Sequence, residues 1–88
     1  MKQQFKMGRI VATANALETL DGKSIELALC RHRNCDWGES LDKEMNDSAV
    51  KNGEDRIISV YHDSNGIKFW IITEADRSAT TVLLPEDY

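Results

Sequence analysis

RIISVYHDS (Arg56–Ser64), NG (Asn65-Gly66) and IKFWIITE (Ile67–Glu74) form the stretch on which the fold turns. Both outer runs are rich in β-branched and aromatic residues, which suit a pleated surface. Asn-Gly is the preferred centre of a two-residue type I′ turn, which needs φ > 0 at both positions. The spacing predicts a β-hairpin with Ser64 opposite Ile67. Counting back sets Asp63 against Lys68, His62 against Phe69, Tyr61 against Trp70, Val60 against Ile71 and Ile58 against Thr73. One face then carries Ile58, Val60, His62, Ile67, Phe69 and Ile71, and the other Ile57, Ser59, Tyr61, Trp70 and Ile72. Neither face is polar, so the sheet is expected to be covered on both sides or to keep an aromatic face for a partner.

Working outward, Glu74–Ser78 (EADRS) reads as a turn and Ala79–Leu84 as a last strand, closed by Pro85 and antiparallel to its predecessor. Gly8–Thr13 (GRIVAT) reads as the first strand, after a polar start over residues 1–6 that is expected to fray. Thr13 or Asn15 caps a short helix carrying Ala16, Leu17 and Leu20, which Asp21-Gly22 stops. Ser24 caps a second, with Ile25, Leu27, Ala28, Leu29 and His32 on one face and Asn34 at its end. Trp37 sits in a loop and reads as an anchor folded onto the core. Ser40 opens a third helix, Leu41, Met45 and Ala49 recur at i, i+4 as its inward stripe, and Gly53 ends it. The order β-α-α-α-β-β-β predicts a single α+β domain over residues 1–88. Its small antiparallel sheet has three to four strands, packed with about three short helices.

A chain of 88 residues leaves room for one small domain, and 41% hydrophobic with 30% charged residues is ordinary for a soluble globule. No apolar run approaches the ~20 residues of a membrane helix, and no basic start with an apolar core marks a signal peptide. Transmembrane, collagenous, disulfide-scaffold and large-enzyme classes are excluded. A cytoplasmic location is expected, with Cys30 and Cys35 as free thiols.

The net charge of −4 is unevenly spread. Residues 1–35 hold six basic against three acidic side chains, net +3; residues 36–88 hold five against twelve, net −7. Within the latter, 36–55 carries seven acids and two lysines, net −5. Such a surface repels phosphate and attracts a basic partner. It is equally what a solvated helix face would show.

MGRIVAT near the start, Arg31-His32 followed by Asp36-Trp37-Gly38, and ITEADRSATTVLLPEDY at the end together resemble a family of short plasmid-related conserved proteins of mobile elements. Where those proteins carry Pro-Gly after the first strand, this chain has Ala14-Asn15. The resemblance implies a mobile-element or host-conflict context and brings no established activity.

Candidate chemistry is sparse. Cys30, His32 and Cys35 offer soft ligands, but on a helix Cys30 and His32 point ~200° apart, so no metal site or cofactor is expected. His32 with Asp36, or His62 with a loop acid, has the elements of a general base and its orienter, yet no nucleophile or phosphate-loop motif accompanies them. His32 otherwise reads as an imidazole capping the helix C-terminus. Arg77, flanked by Glu74 and Asp76, either pins its turn or presents a charged tip. Tyr61 and Trp70 are either core or interface anchors. The leading expectation is a non-enzymatic module that binds a basic protein through Asp36, Glu39, Asp42, Glu44, Asp47, Glu74, Asp76 and Arg77. An inhibitor of a host defence or nucleic-acid-processing enzyme is one form of it. The alternative is an accessory nucleic-acid-binding domain using Arg9, Arg31 and Arg33, and the third reading is a small hydrolase using His32 and Asp36.

Overall fold

A computed structural model of the chain describes residues 5–88. Strand β1 (Arg9–Ala12) is followed by helices α1 (Ala14–Thr19), α2 (Gly22–Arg33) and α3 (Lys43–Asn52). Strands β2 (Ile57–His62), β3 (Lys68–Thr73) and β4 (Ala79–Leu83) come next, then a 3-10 turn at Pro85–Asp87. The α+β class and the element order are those expected. The sheet has the order β1-β4-β3-β2 and is mixed: β2, β3 and β4 form an antiparallel meander, while β1 lies parallel to β4 rather than antiparallel. Parallel pairing puts the C-terminal ends of β1 and β4 together. There Asp87 accepts hydrogen bonds from Thr13 Oγ1 (2.6 Å) and Asn15 Nδ2 (3.1 Å), tying the last turn to the start of α1.

The hairpin forms, but one residue away from the expected register. Tyr61 pairs with Phe69, Val60 with Trp70, Ser59 with Ile71 and Ile57 with Thr73. The cause is the turn. Gly66 N–H bonds to the Asp63 carbonyl, and Asp63 N–H to the Ile67 carbonyl (both 2.9 Å). Gly66 has φ 82°, and Asn65 is not among the residues with positive φ. This is a three-residue loop, a type I turn followed by a left-handed glycine, and not a two-residue type I′ turn. Asp63 organises it: its carboxylate accepts from the backbone N–H of Asn65 (2.9 Å), Ile67 (2.9 Å) and Asp21 (3.1 Å). These bonds, Ile67 first, hold its pKa below the usual carboxylate range.

A one-residue slip moves side chains to the other face. Ile57, Ser59, Tyr61, Phe69, Ile71 and Thr73 share one face, and all are buried. Ala16, Leu20 and Ala28 of the helical layer pack there with Tyr61, Phe69, Ile71 and Val82. A second cluster joins Trp37, Ala49 and Ile57, with Phe5, Cys35 and Val50 against it. Trp37 is therefore the core anchor expected. Fraying over residues 1–6 does not extend to Phe5, whose ring packs on His32 and Trp37; residues 1–4 lie outside the described residues.

Two helix starts differ from expectation. Asp21, not Ser24, caps α2, accepting from Ser24 N–H at 3.0 Å, so Asp21-Gly22 opens a helix and Leu20 ends the previous one. Asp42, not Ser40, precedes α3. Thr13, Asn34 and Gly53 occupy the cap positions expected of them.

Candidate functional site

The edge of the sheet at β2 is closed at Ile58 and Val60. Backbone N–H and C=O groups alternate along a strand, and those of Ile58 and Val60 point away from β3. Asn46, buried in α3, meets Ile58 with both ends of its amide: Ile58 N–H donates to Oδ1 (3.0 Å), and Nδ2 donates to the Ile58 carbonyl (2.7 Å). Ser40 Oγ donates to the same carbonyl at 2.9 Å. Val60 N–H bonds to the Trp37 carbonyl (3.2 Å), and Glu39 N–H to the Val60 carbonyl (2.9 Å). Gly38 lets the chain lie this close. Its φ is 65°, and a Cβ there would collide with the Val60 carbonyl oxygen.

This closure turns α3 over. Asn46 and Ala49 take its inward face, and the expected stripe is reversed at its other two positions. Leu41, just before the helix, is fully exposed and Met45 is 64% exposed. Glu39, Asp42 and Glu44 lie exposed around them. Leu41 and Asp42 also border a groove of about 420 Å3 on the sheet face opposite α2, floored by Ile58, Val60 and Trp70. On that face the Tyr88 ring meets Trp70 edge-on at 5.5 Å, and Arg56 donates to the Tyr88 hydroxyl at 2.6 Å. Tyr61 and Trp70, expected to pair, therefore part: Tyr61 is core, its hydroxyl donating to the Asp36 carbonyl (2.7 Å), while Trp70 is half-buried on the groove. Burial raises the Tyr61 phenol above its ordinary range.

Four acids of the expected surface, Asp36, Asp47, Glu39 and Asp76, have intrachain partners. Asp36 makes a two-pronged pair with Arg31 (2.8 and 3.2 Å), which depresses its pKa. Asp47 accepts from Trp37 Nε1 at 2.8 Å. Glu39 meets His62 Nδ1 at 2.6 Å. Asp76 accepts from Ser78 N–H (2.9 Å) inside the EADRS turn, which begins at the half-buried Glu74. Arg77, at φ 61°, donates to the carbonyls of Asp55, Glu74 and Ala75 and, at the end of α3, of Ala49. Its guanidinium thus joins the turn to α3, which is the pinning role.

His32 does not cap α2. It is fully buried, its ring edge-on to Phe5 and Trp37. Nδ1 lies 2.5 Å from Ser59 Oγ and Nε2 2.8 Å from Thr73 Oγ1. Thr73 Oγ1 lies 2.7 Å from Thr80 Oγ1, and Thr80 donates to the Met7 carbonyl at 2.6 Å. Proton counting fixes the direction. The Met7 carbonyl can only accept, so Thr80 donates to it, Thr73 donates to Thr80, His32 Nε2–H donates to Thr73, and Ser59 donates to Nδ1. The Nε2–H tautomer is the arrangement that puts one proton in each contact. Burial lowers the His32 pKa from 6.5 to about 3. His32 and the Asp36 carboxylate share no hydrogen bond, and both imidazole nitrogens are occupied.

Cys30 and Cys35 are free and half-buried, and burial raises the Cys35 thiol. Among the described residues, no group of three or more His, Cys, Asp or Glu is placed to hold a metal, and no helix is long and apolar enough to cross a membrane. Of the three arginines of the nucleic-acid reading, Arg31 is paired with Asp36 and stands over the Tyr61 ring at 4.9 Å, while Arg9 lies on β1 and Arg33 lines a groove beside it. No signal in the helical periodicity could have placed Asn46 at the sheet edge, because its partner is backbone far along the chain. No protein-family model, curated protein or solved structure matches the chain.

Proposed function

We propose that the protein is a non-enzymatic protein-binding module. Its docking face is the acidic ridge at α3 with the groove beside it, and its partner presents a basic surface. The observation that carries this reading is the exposure of Leu41 and Met45 amid Glu39, Asp42 and Glu44. Apolar side chains in solvent within a charged rim have the anatomy of a binding hot spot. The acids add steering toward a cationic partner. The resemblance to plasmid-related proteins fits an inhibitor of a host defence or nucleic-acid-processing enzyme, whose nucleic-acid groove is a basic surface of this kind. Free nucleic acid as the direct ligand is disfavoured by the ridge, which repels phosphate.

The test uses the partner recovered by affinity capture from host lysate. Asp42→Lys with Glu44→Lys should slow association and remove much of its salt dependence, with melting unchanged. Leu41→Ala should weaken binding about tenfold. Asp47 is left intact because it holds Trp37. Unaltered binding by these variants, with binding abolished on reversal of Arg9, Arg31 and Arg33, would overturn the reading.

A further inference from the structure

The two edges of this sheet are treated in opposite ways. At β2 the outward-facing backbone groups of Ile58 and Val60 all have partners. At β1, Arg9 N–H bonds to the Ser78 carbonyl and Thr13 N–H to the Val82 carbonyl, both at 3.0 Å. By the alternation of a strand, Arg9, Val11 and Thr13 face β4, so the N–H and C=O groups of Ile10 and Ala12 point outward. Among the described residues no backbone group bonds to them there.

The flanks of this open edge are basic. On the α2 side a groove of about 460 Å3 runs beside Ile10 and Leu29 and is bordered by Lys6, Arg33 and Arg77. Arg77 is committed to backbone carbonyls, while Lys6 and Arg33 are exposed. No acid lines the groove. Arg9 is exposed on β1 itself, its side chain on the other face from Ile10. Cations thus bracket the edge on both faces of the sheet.

We propose that the β1 edge is a strand-addition site for an extended acidic segment of a partner protein. Its backbone would pair with Ile10 and Ala12, an apolar side chain would enter the groove over Ile10 and Leu29, and its carboxylates would meet Lys6, Arg33 and Arg9. Main-chain pairing supplies affinity in such a mode, and the flanking side chains supply selection. An edge of four residues offers two outward residues, so charge decides which segment stays. The site is separate from the α3 ridge, and neither stands or falls with the other.

The experiment titrates the isotope-labelled full chain at low salt with two eight-residue peptides, one alternating glutamate and valine, the other lysine and valine. Nuclear magnetic resonance follows the amides and their hydrogen exchange. The glutamate peptide should produce saturable shifts centred on β1 and slow exchange at Ile10 and Ala12. The lysine peptide should leave β1 unchanged. Lys6→Glu with Arg33→Glu should weaken the glutamate peptide about tenfold while preserving the free spectrum elsewhere. Three results would each overturn the proposal: no response at β1, an equal response to both peptides, or Ile10 and Ala12 amides already protected without peptide. Protection that grows with protein concentration would assign the edge to a second copy of the chain instead.

Discussion

His32 shows how far one side chain can depart from its local setting. At the end of α2, beside Arg31 and Arg33, it has the sequence position of a helix-capping cation, yet it is the centre of a buried hydroxyl chain. A neutral imidazole in the folded state has a consequence for stability. In the unfolded chain it ionises near pH 6.5, while in the folded state burial holds it neutral down to about pH 3. Between these values the unfolded state binds a proton that the folded state does not, so stability falls as the pH falls. The expected loss between pH 6 and 4.5 is about 2 kcal/mol, large for a domain whose total is roughly 4–13 kcal/mol. Glutamine can donate to Thr73 and accept from Ser59 without titrating. His32→Gln should therefore flatten the urea midpoint across that window relative to the natural chain. An imidazole resonance for His32 titrating near pH 6.5 in the folded protein would contradict this account.

At the scale of elements, the hairpin turn separates two readings of one dipeptide. Asn65-Gly66 read alone gives a type I′ turn. Read with Asp63 and Ser64, it has Asp at the first position and Gly at the fourth of a type I turn, and that signal was present in the sequence. The three N–H groups gathered by the Asp63 carboxylate favour the second arrangement. Only Gly66 then occupies the left-handed region, with open space around it. Gly66→Val should cost on the order of 1–2 kcal/mol from backbone strain. Asn65→Ala should stay within about 0.5 kcal/mol. Comparable losses for both, measured by urea denaturation, would point back to the two-residue turn.

For the whole molecule, the sheet is closed at Ile58 and Val60 on one edge and, among the described residues, open at Ile10 and Ala12 on the other, and the closure decides what α3 shows to solvent. Asn46 is bound inward by Ile58, so Leu41 and Met45 are left outside. The two exposed residues should be dispensable for folding: Leu41→Ser with Met45→Ser should change stability by no more than about 0.5 kcal/mol. Asn46→Leu, which would put an apolar side chain beside Ala49 on the inward face, should cost roughly 1–3 kcal/mol. The Ile58 carbonyl would keep Ser40, but its N–H would lose its acceptor. Periodicity alone predicts the reverse order, and urea midpoints of the variants distinguish the two.

What the sequence determined by itself is local. Strand-forming runs around a glycine turn, caps at Thr13, Asn34 and Gly53, and a tryptophan with little else to do in a polar loop each depend on neighbours within a few residues. The α+β class and the order of elements follow from these. Tertiary structure decided the sheet register, the parallel placement of β1, the inward turn of His32 and the outward turn of Leu41 and Met45. Those depend on hydrogen bonds between groups far apart in the chain: Asp63 with Asp21, Asp87 with Thr13, His32 with Thr73, Asn46 with Ile58. Periodicity records which side chains are apolar, but not which distant backbone group requires a polar one. The acidic concentration over residues 36–55 was legible as composition. Folding decided which of these exposed carboxylates also take an intrachain partner: Asp36 is drawn to Arg31 and Asp47 to Trp37, while Asp42 and Glu44 stand on the ridge.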